Sequence, residues 1–317
     1  MEDCMDQEMK YVYKVYECGS FSKAAAQLYM TQPALSLAVK RAEESIGALI
    51  FDRSAKTLTL TEAGEIYIEK YYQIRDLEME LALKLHDLSF LHTGSLTIGG
   101  TNYFNSYILP PVISKFRQTY PGIDVTLVEA GSRELLAMLR DHRIDLTFNC
   151  GLSRKDPYRL APCFKDHVLL CVPKSFAVNE KAMACAMTNM DILEKKHLDE
   201  SFPAVSLCDF KEIPFILLSD GNNLYERAKV MFEQEHITPK VAMRLSQLAT
   251  AWHLSCEGLG AAFISDHLVT KASDSVYYFR LDSPLAERTF DFVTSENRYI
   301  SRAMDAFSEV FSSYYLI

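Results

Sequence analysis

The sequence lacks the long apolar runs and the nucleotide-binding motifs that would assign several classes of function at once. No apolar run approaches eighteen residues and no basic-then-apolar segment opens the chain, so we expect neither a membrane span nor a signal peptide. There is no P-loop and no nucleophile elbow, and Gly99-Gly100 lacks the third glycine of a dinucleotide fingerprint. We therefore expect a cytoplasmic protein that is not an enzyme.

Metal-ligand spacings and an excess of positive charge are also missing. None of the eight cysteines forms a pair with a two-residue gap, and the eight histidines show no ligand spacing. We therefore expect reduced, mostly buried thiols, no metal and no other cofactor. The net charge is −9, and residues 1–65 carry seven basic and ten acidic side chains. This balance argues against a protein that coats nucleic acid indiscriminately.

The composition that remains is that of a soluble globular protein with several domains. The chain has 317 residues, of which 49% are hydrophobic and 24% are charged. This length suits two or three domains.

Residues 19–64 carry the most specific local pattern, that of a winged helix-turn-helix. Ser20 or Ser22 can cap a first short helix, Thr31 can cap the next, and Pro33 falls in its first turn, where a missing N–H is harmless. In this second helix the apolar side chains recur at spacings of four, three and four, which predicts a buried stripe of Leu35, Val39, Ala42 and Ile46. Gln32, Ser36 and Lys40 run along the opposite, exposed face. Such a face can present donors and acceptors to base edges in a major groove.

The same segment closely resembles the DNA-binding domain of LysR-type transcriptional regulators. The resemblance lies in GSFSKAAAQLYMTQPALS, in the later LIFDR and in LTLTEAG, with order and spacing kept over about forty-five residues. One departure is Leu37, where the family usually has Arg, and contact with a thymine methyl is its physical alternative. The expected DNA-binding residues are Ser22, Thr31, Gln32, Pro33, Ser36, Leu37, Lys40, Arg53 and Lys56.

A long helix is expected from Thr61 to about His92, because this stretch has one glycine, no proline and many helix formers. Ile74, Leu77, Leu81, Leu85 and Leu88 recur at spacings of three and four, which predicts an apolar seam for another helix. An amphipathic helix packed on its own domain is the alternative. The position directly after the wing favours a linker and dimerisation helix, as the resemblance also implies.

The remaining chain alternates apolar strands with helices, which predicts a parallel α/β architecture with right-handed crossovers. It resembles the two-lobed effector domain of the same family. The predicted fold class is thus α/β, with a winged helix-turn-helix at 1–64, a linker helix at 65–92 and an effector domain at 93–317. Lobe I is expected at about 95–168 and 264–317, and lobe II at about 169–263. Residues 179–211 are longer than a simple link and suggest extra helix on lobe II, with a partner-binding flap as the alternative.

Three polar loops follow strands and begin helices, which is where ligands bind in parallel α/β folds. Each offers hydroxyl or amide groups that suit a small polar or anionic ligand, although plain helix capping explains each loop taken singly. The resemblance places all three on one cleft between the lobes. The expected effector-binding residues are Thr101, Asn102, Tyr103, Ser132, Asn149, Ser219 and Asn222.

These patterns together predict a LysR-type, sequence-specific regulator that responds to a small effector. The alternative is a small-molecule-binding protein without a role in DNA regulation. The expected partners are double-stranded DNA, the effector and further copies of the chain in a homodimer or homotetramer, with RNA polymerase as a candidate and no membrane.

Overall fold

A computed structural model describes residues 7–52, 57–87, 94–270, 274–296 and 298–315. The chain forms two compact units, one from residues 1–89 with 297–299 and one from the rest. Among the described residues, no helix combines the length and the apolar character needed to cross a bilayer.

The first unit is a small helical domain with a β-hairpin. Its elements are α1 (Gln7–Cys18), α2 (Phe21–Gln27), α3 (Gln32–Ile46), β1 (Phe51–Asp52), β2 (Thr59–Leu60) and α4 (Glu62–Asp87). Helix α1 was not predicted from the sequence. Its Val12 and Val15 pack with Leu35, Val39 and Phe51 in the core. Strands β1 and β2 pair antiparallel, Phe51 opposite Leu60, and form the base of the wing.

The stripe predicted on α3 is correct except at its end. Leu35, Val39 and Ala42 are buried, but Ile46 is 44% exposed because it ends the helix beyond the reach of the core. Glu43 is buried instead. Its carboxylate accepts hydrogen bonds from the backbone N–H groups of Ile50 (3.0 Å) and Phe51 (3.3 Å), so it fixes the start of the wing.

Gly64 allows α4 to approach the wing closely. A Cβ atom at this position would lie 2.1 Å from the carbonyl oxygen of Ile50, so any side chain would force the backbone apart. The Thr61 hydroxyl caps the helix by accepting from the Gly64 N–H at 3.0 Å. Helix α4 continues for 26 residues, about 39 Å.

The second unit contains nine strands and seven α-helices among its described residues. The strands are β3 (Gly94–Gly100), β4 (Ile123–Glu129), β5 (Thr147–Asn149), β6 (Tyr158–Pro173), β7 (Pro214–Leu218), β8 (Lys240–Leu245), β9 (Ala261–Ser265), β10 (Val276–Arg280) and β11 (Glu287–Ser295). The helices are α5 (Leu109–Thr119), α6 (Ser132–Arg140), α7 (Val178–Ala182), α8 (Asn189–Leu193), α9 (Asn223–Gln234), α10 (Leu248–Cys256) and α11 (Arg302–Tyr314). A π-helical turn, Phe104–Ile108, precedes α5.

One strand, β6, is shared by both lobes. Through His167 it pairs antiparallel with β11, and from Val168 onward it pairs with β9 and then β10. We call residues 167–168 the crossing point. Strands β7 and β8 extend the second half in parallel, while β3 and β4 pair in parallel in the first. Strand β10 pairs with the second half of β6, so the chain returns to the first lobe only after residue 280. The sequence analysis placed this return at about residue 264.

Residues 179–211 form short helices rather than one long one, and they pack along β10. Met187 and Val205 form isolated bridges with Tyr278 and Leu281. Ile192 and Phe210 from this segment are buried in the main core. The expected packing of extra helix on lobe II is therefore observed.

Candidate nucleic-acid interface and ligand cavity

Helix α3 begins at the cap that the sequence suggested. Thr31 is its N-cap and accepts a hydrogen bond from the Ala34 N–H at 3.4 Å, Pro33 lies in the first turn, and Gly47 ends the helix at φ +71°. Ser20, not Ser22, caps α2. Ser22 is exposed in the first turn of that helix.

The free side of α3 is polar with one apolar side chain at its centre. Gln32 and Lys40 are exposed and Ser36 is half-buried. The Gln32 Nε2 donates to the Ser36 Oγ at 2.9 Å, and Lys40 Nζ lies 3.4 Å from Glu44 Oε1. Leu37 is 52% exposed among them. Exposed side chains of this mixed kind can contact the base edges and phosphates of DNA, whereas packing inside the protein does not require them.

The sequence analysis missed one exposed aromatic residue beside this face. It also predicted two DNA-binding residues on the wing that cannot be located. Tyr29 lies in the turn between α2 and α3, is 99% exposed and has φ +55°, an uncommon conformation for an aromatic residue. The sequence feature that could have identified Tyr29 is an aromatic residue in the turn of a helix-turn-helix. Arg53 and Lys56, predicted on the wing, lie outside the described residues.

The second unit contains a cleft at the carboxyl ends of its parallel strands. One cavity of about 350 Å³ is lined by six of the seven predicted effector residues: Thr101, Asn102, Tyr103, Ser132, Asn149 and Asn222. An adjoining cavity of about 350 Å³ is lined by the seventh, Ser219, and shares Thr101, Ser132 and Asn222 with the first. The fold therefore brings all three polar loops to one place.

Some polar side chains of these loops already form hydrogen bonds within the protein, and others do not. Asn222 caps α9 by accepting from the Leu224 N–H at 3.0 Å, Asn149 accepts from the Gly151 N–H at 2.7 Å, and Ser219 donates to the Leu245 carbonyl at 3.1 Å. By contrast, the hydroxyls of Thr101 and Ser132 have no hydrogen-bond partner among the described residues. Gly131, not Ser132, is the N-cap of α6. Plain capping therefore does not explain Thr101 and Ser132.

A fourth helix start also lines the cleft and was missed. Ser246 and Gln247 follow β8 and precede α10, and the Gln247 side chain makes no capping hydrogen bond. The rule used for the other loops, a polar turn between a strand and a helix, would have found it. Arg133, in the first turn of α6, also lines the cavity and has no ion-pair partner within the described part of the chain.

The floor of the cavity is stabilised by a buried ion pair. Arg288 Nε donates to Asp166 Oδ1 at 2.7 Å, and the second guanidinium nitrogen contacts Asp166 Oδ2. Burial works against the charged form of Arg288, but Asp166 outweighs it and raises the pKa of the guanidinium. The Tyr103 hydroxyl completes the group, 3.1 Å from Asp166 and 2.7 Å from Ser265 Oγ. Because Asp166 neutralises Arg288, Arg133 is the cation left available to a ligand among the described residues that line this cavity.

Cys150 is the thiol that faces this cavity. Burial raises the pKa of Cys150 to about 11, so the thiol is neutral near pH 7 and is a weak nucleophile. No disulfide is present among the seven described cysteines.

Comparison with known proteins identifies both units. The family model "Bacterial regulatory helix-turn-helix protein, lysR family" matches residues 7–65, and the model "LysR substrate binding domain" matches residues 91–315. An uncharacterized HTH-type transcriptional regulator, YcgK of Bacillus subtilis, is 28% identical over 304 residues, which cover 95% of this chain and 92% of that protein. A probable RuBisCO transcriptional regulator of Cyanophora paradoxa is 27% identical over 311 residues, with 96% and 90% covered.

Solved structures share the fold at low sequence identity. A full-length OxyR variant from Pseudomonas aeruginosa has a TM-score of 0.62 at 19% identity and covers 96% of each chain. Full-length CbnR in complex with its target DNA has a TM-score of 0.57 at 17% identity, with 98% of this chain and 99% of that chain covered. The predicted fold class, a helix-turn-helix domain followed by a two-lobed α/β domain, is confirmed.

Proposed function

The chain belongs to the LysR family of transcriptional regulators, and on that premise we propose that it is a homo-oligomeric regulator whose effector is a small polar molecule with an anionic group. Proteins of this family are DNA-binding regulators and not enzymes, which discards the reading as a binding protein without a regulatory role. Its place of action is the cytoplasm, where a regulator of this kind meets DNA. A contact with RNA polymerase stays a prediction.

For DNA, we propose that α3 enters the major groove with Gln32 and Ser36 facing base edges. The hydrogen bond between their side chains holds the Gln32 amide in one orientation, which lowers the entropy lost on contact with a base. Leu37, between them, would meet a thymine methyl. Lys40 and the wing residues Arg53 and Lys56 would contact phosphates, while Ser22, Thr31 and Pro33 would lie near the backbone.

For assembly, we propose that α4 pairs with α4 of a second copy. Ile74, Leu77, Leu81 and Leu85 are 37%, 65%, 52% and 47% exposed, which is unusual for four apolar side chains in one seam. The fifth predicted member, Leu88, lies outside the described residues. Pairing would bury this seam and place two DNA-binding domains on one assembly.

For the effector, the observation that carries the proposal is the meeting of the polar loops and of two unused hydroxyls in one cleft. Residues from the first turns of α6, α9 and α10 line the cavity, and the positive dipole end of a helix N-terminus favours an anion. Arg133 adds a positive charge. Glu226 also lines the cavity, but it accepts from the Gly221 N–H at 3.2 Å, so it is engaged in closing its own loop.

The experiment compares Thr101→Val and Ser132→Ala with the wild type. A panel of small mono- and dicarboxylates and phosphorylated metabolites is first screened by thermal shift, and the best ligand is titrated by calorimetry. Each variant should weaken binding about threefold to tenfold or more, because each removes one hydrogen bond worth about 0.5–1.5 kcal/mol, or more to a charged ligand. DNA affinity without the ligand should not change.

Ser275→Ala is the matched control, since Ser275 lies in an exposed turn before β10 and outside both cavities. It should bind the ligand like the wild type. Unchanged affinity in both cleft variants would show that the effector binds elsewhere and would contradict the proposal.

The mechanism we propose is a population shift between two assemblies that differ in the spacing of their DNA-binding domains. An effector that contacts α6 in one lobe and α9 and α10 in the other binds most tightly when the lobes are close. It therefore stabilises that arrangement over a more open one, by the difference between its two affinities.

A further inference from the structure

A separate cavity in the same unit contains two histidines and an aspartate close together. It measures about 790 Å³ and shares no lining residue with the effector cleft. His167 lies at the crossing point, Asp266 follows the end of β9, and His197 comes from the inserted segment 179–211. Three separate parts of the chain thus supply one side chain each.

The distances between the three side chains match those around one metal ion. His197 Nε2 lies 2.9 Å from Asp266 Oδ2, and His167 Nδ1 lies 3.4 Å from the same oxygen. Donor atoms of the three residues all lie within 4.8 Å of one another. Ligands held 2.0–2.1 Å from a tetrahedral zinc ion are about 3.3 Å apart. To hold an ion, the two rings would approach each other and His197 Nε2 would move slightly away from Asp266 Oδ2.

The carboxylate is already oriented for this role. One oxygen of Asp266, Oδ1, accepts hydrogen bonds from the backbone N–H groups of His167 (3.1 Å) and His267 (3.0 Å). The other oxygen, Oδ2, is therefore left to face both imidazoles. Asp266 and His197 are buried, whereas the His167 side chain is 32% exposed, which leaves one side of the group open to solvent.

The donor set and its surroundings select the kind of ion. Two imidazoles and one carboxylate suit zinc and similar divalent transition ions, whereas magnesium and calcium prefer oxygen ligands alone. The far nitrogen of His167, Nε2, lies 3.8 Å from Glu287 Oε2. A second carboxylate behind a ligating histidine fixes its ring and strengthens it as a ligand.

We propose that His167, His197 and Asp266 bind one divalent ion of the zinc type, which fastens the inserted segment to the crossing point between the lobes. The Nε2 atom of His197 faces Asp266, whereas its buried Nδ1 atom has no hydrogen-bond partner among the described residues, so no second hydrogen bond holds the ring. Spacing along the sequence could not show the site, since Asp266 is 69 residues from His197 and 99 from His167.

The test titrates the full-length protein with zinc and with cobalt(II) after treatment with a chelator and desalting. Zinc affinity is measured by competition with a chromophoric chelator, and cobalt geometry by visible absorption. The Asp266 carboxylate raises the pKa of His167, so protons compete with the ion and the titration is run at about pH 8. We expect one ion per chain, a tetrahedral cobalt spectrum and a melting temperature about 5–10 °C higher at one hundred times Kd.

Two conservative variants locate the site. His167→Gln changes a partly exposed side chain and Asp266→Asn keeps the shape of the carboxylate; each should weaken zinc binding at least tenfold and abolish the tetrahedral spectrum. His253→Gln, on the exposed side of α10, and Cys208→Ser, which removes an exposed thiol that could bind zinc itself, should both bind like the wild type. Failure of the wild type to bind zinc, or undiminished binding by the first two variants, would overturn the proposal.

Discussion

At the scale of single residues, the sequence pattern predicted a contact only where the two residues that form it lie close together in the chain. Thr31 was found as the N-cap of α3 because a cap acts within one turn. The periodicity that found Leu35 and Val39 said nothing of Glu43, whose partners lie in the wing seven and eight residues ahead. It also extended the stripe to Ile46, where the core has already ended.

The first residue-scale prediction concerns base recognition by Gln32. Gln32→Ala removes an exposed amide that can form two hydrogen bonds to an adenine, and it should cost about 1–3 kcal/mol of specific DNA affinity. Affinity for random DNA should hardly change, because phosphate contacts supply that term. Competition gel shifts at fixed salt measure both quantities. Equal losses on specific and random DNA would contradict the placement of α3.

The second residue-scale prediction concerns the buried pair of Arg288 and Asp166. Arg288→Met leaves a fully buried carboxylate without its cation and should lower the free energy of unfolding by about 3–5 kcal/mol. The double variant Asp166→Leu with Arg288→Met should recover much of this loss. Trp252 is the only tryptophan and lies in α10, so urea unfolding followed by its fluorescence reports on this unit.

Lys115→Met, an exposed substitution on α5, is the control and should change the unfolding free energy by no more than about 0.5 kcal/mol. A loss below about 1 kcal/mol for Arg288→Met would show that the ion pair contributes little to the floor of the cavity.

At the scale of elements, the alternation of apolar runs and helical periodicity was sufficient for most strands and helices. It was least informative for residues 179–211, where helices α7 and α8 have five residues each and hardly establish a period. Helix α8 packs on β10, and Asn179 of α7 donates to the Pro173 carbonyl of β6; no local pattern contains these contacts. Helix α4 was the easiest to predict, because 26 residues give a long periodic signal.

The element-scale prediction concerns the seam on α4. Leu81→Glu combined with Leu85→Glu places charges where two helices should pack, and burying unpaired charge is unfavourable. The variant should be monomeric by light scattering at micromolar concentration and should lose cooperative DNA binding. Glu78→Gln with Lys84→Gln, two changes of polar residues on the same helix, is the control and should leave the oligomer intact.

A wild-type protein that is already monomeric at the same concentration would contradict the role given to α4, whatever the variant does.

At the scale of the whole molecule, the sequence allowed the order of domains to be predicted but not what distant segments form together. The α/β alternation does not reveal that β6 serves both lobes, since the change of partner between His167 and Val168 depends on strands more than ninety residues away. The meeting of Thr101, Ser132 and Asn222 at one cleft was largely predictable, because each of their loops follows one local rule. The group formed by His167, His197 and Asp266 was not, because no such rule links them.

The central claim is that this chain recognises a specific DNA sequence as an oligomer, and footprinting on the DNA upstream of its own gene tests it most directly. The full-length protein, in the presence of excess random DNA, should protect at least two half-sites whose centres lie a whole number of helical turns apart, about 34–36 Å per turn. Gln32→Ala should abolish this protection at the concentration where the wild type gives it. Uniform protection without discrete half-sites, or discrete protection that Gln32→Ala leaves unchanged, would contradict the account.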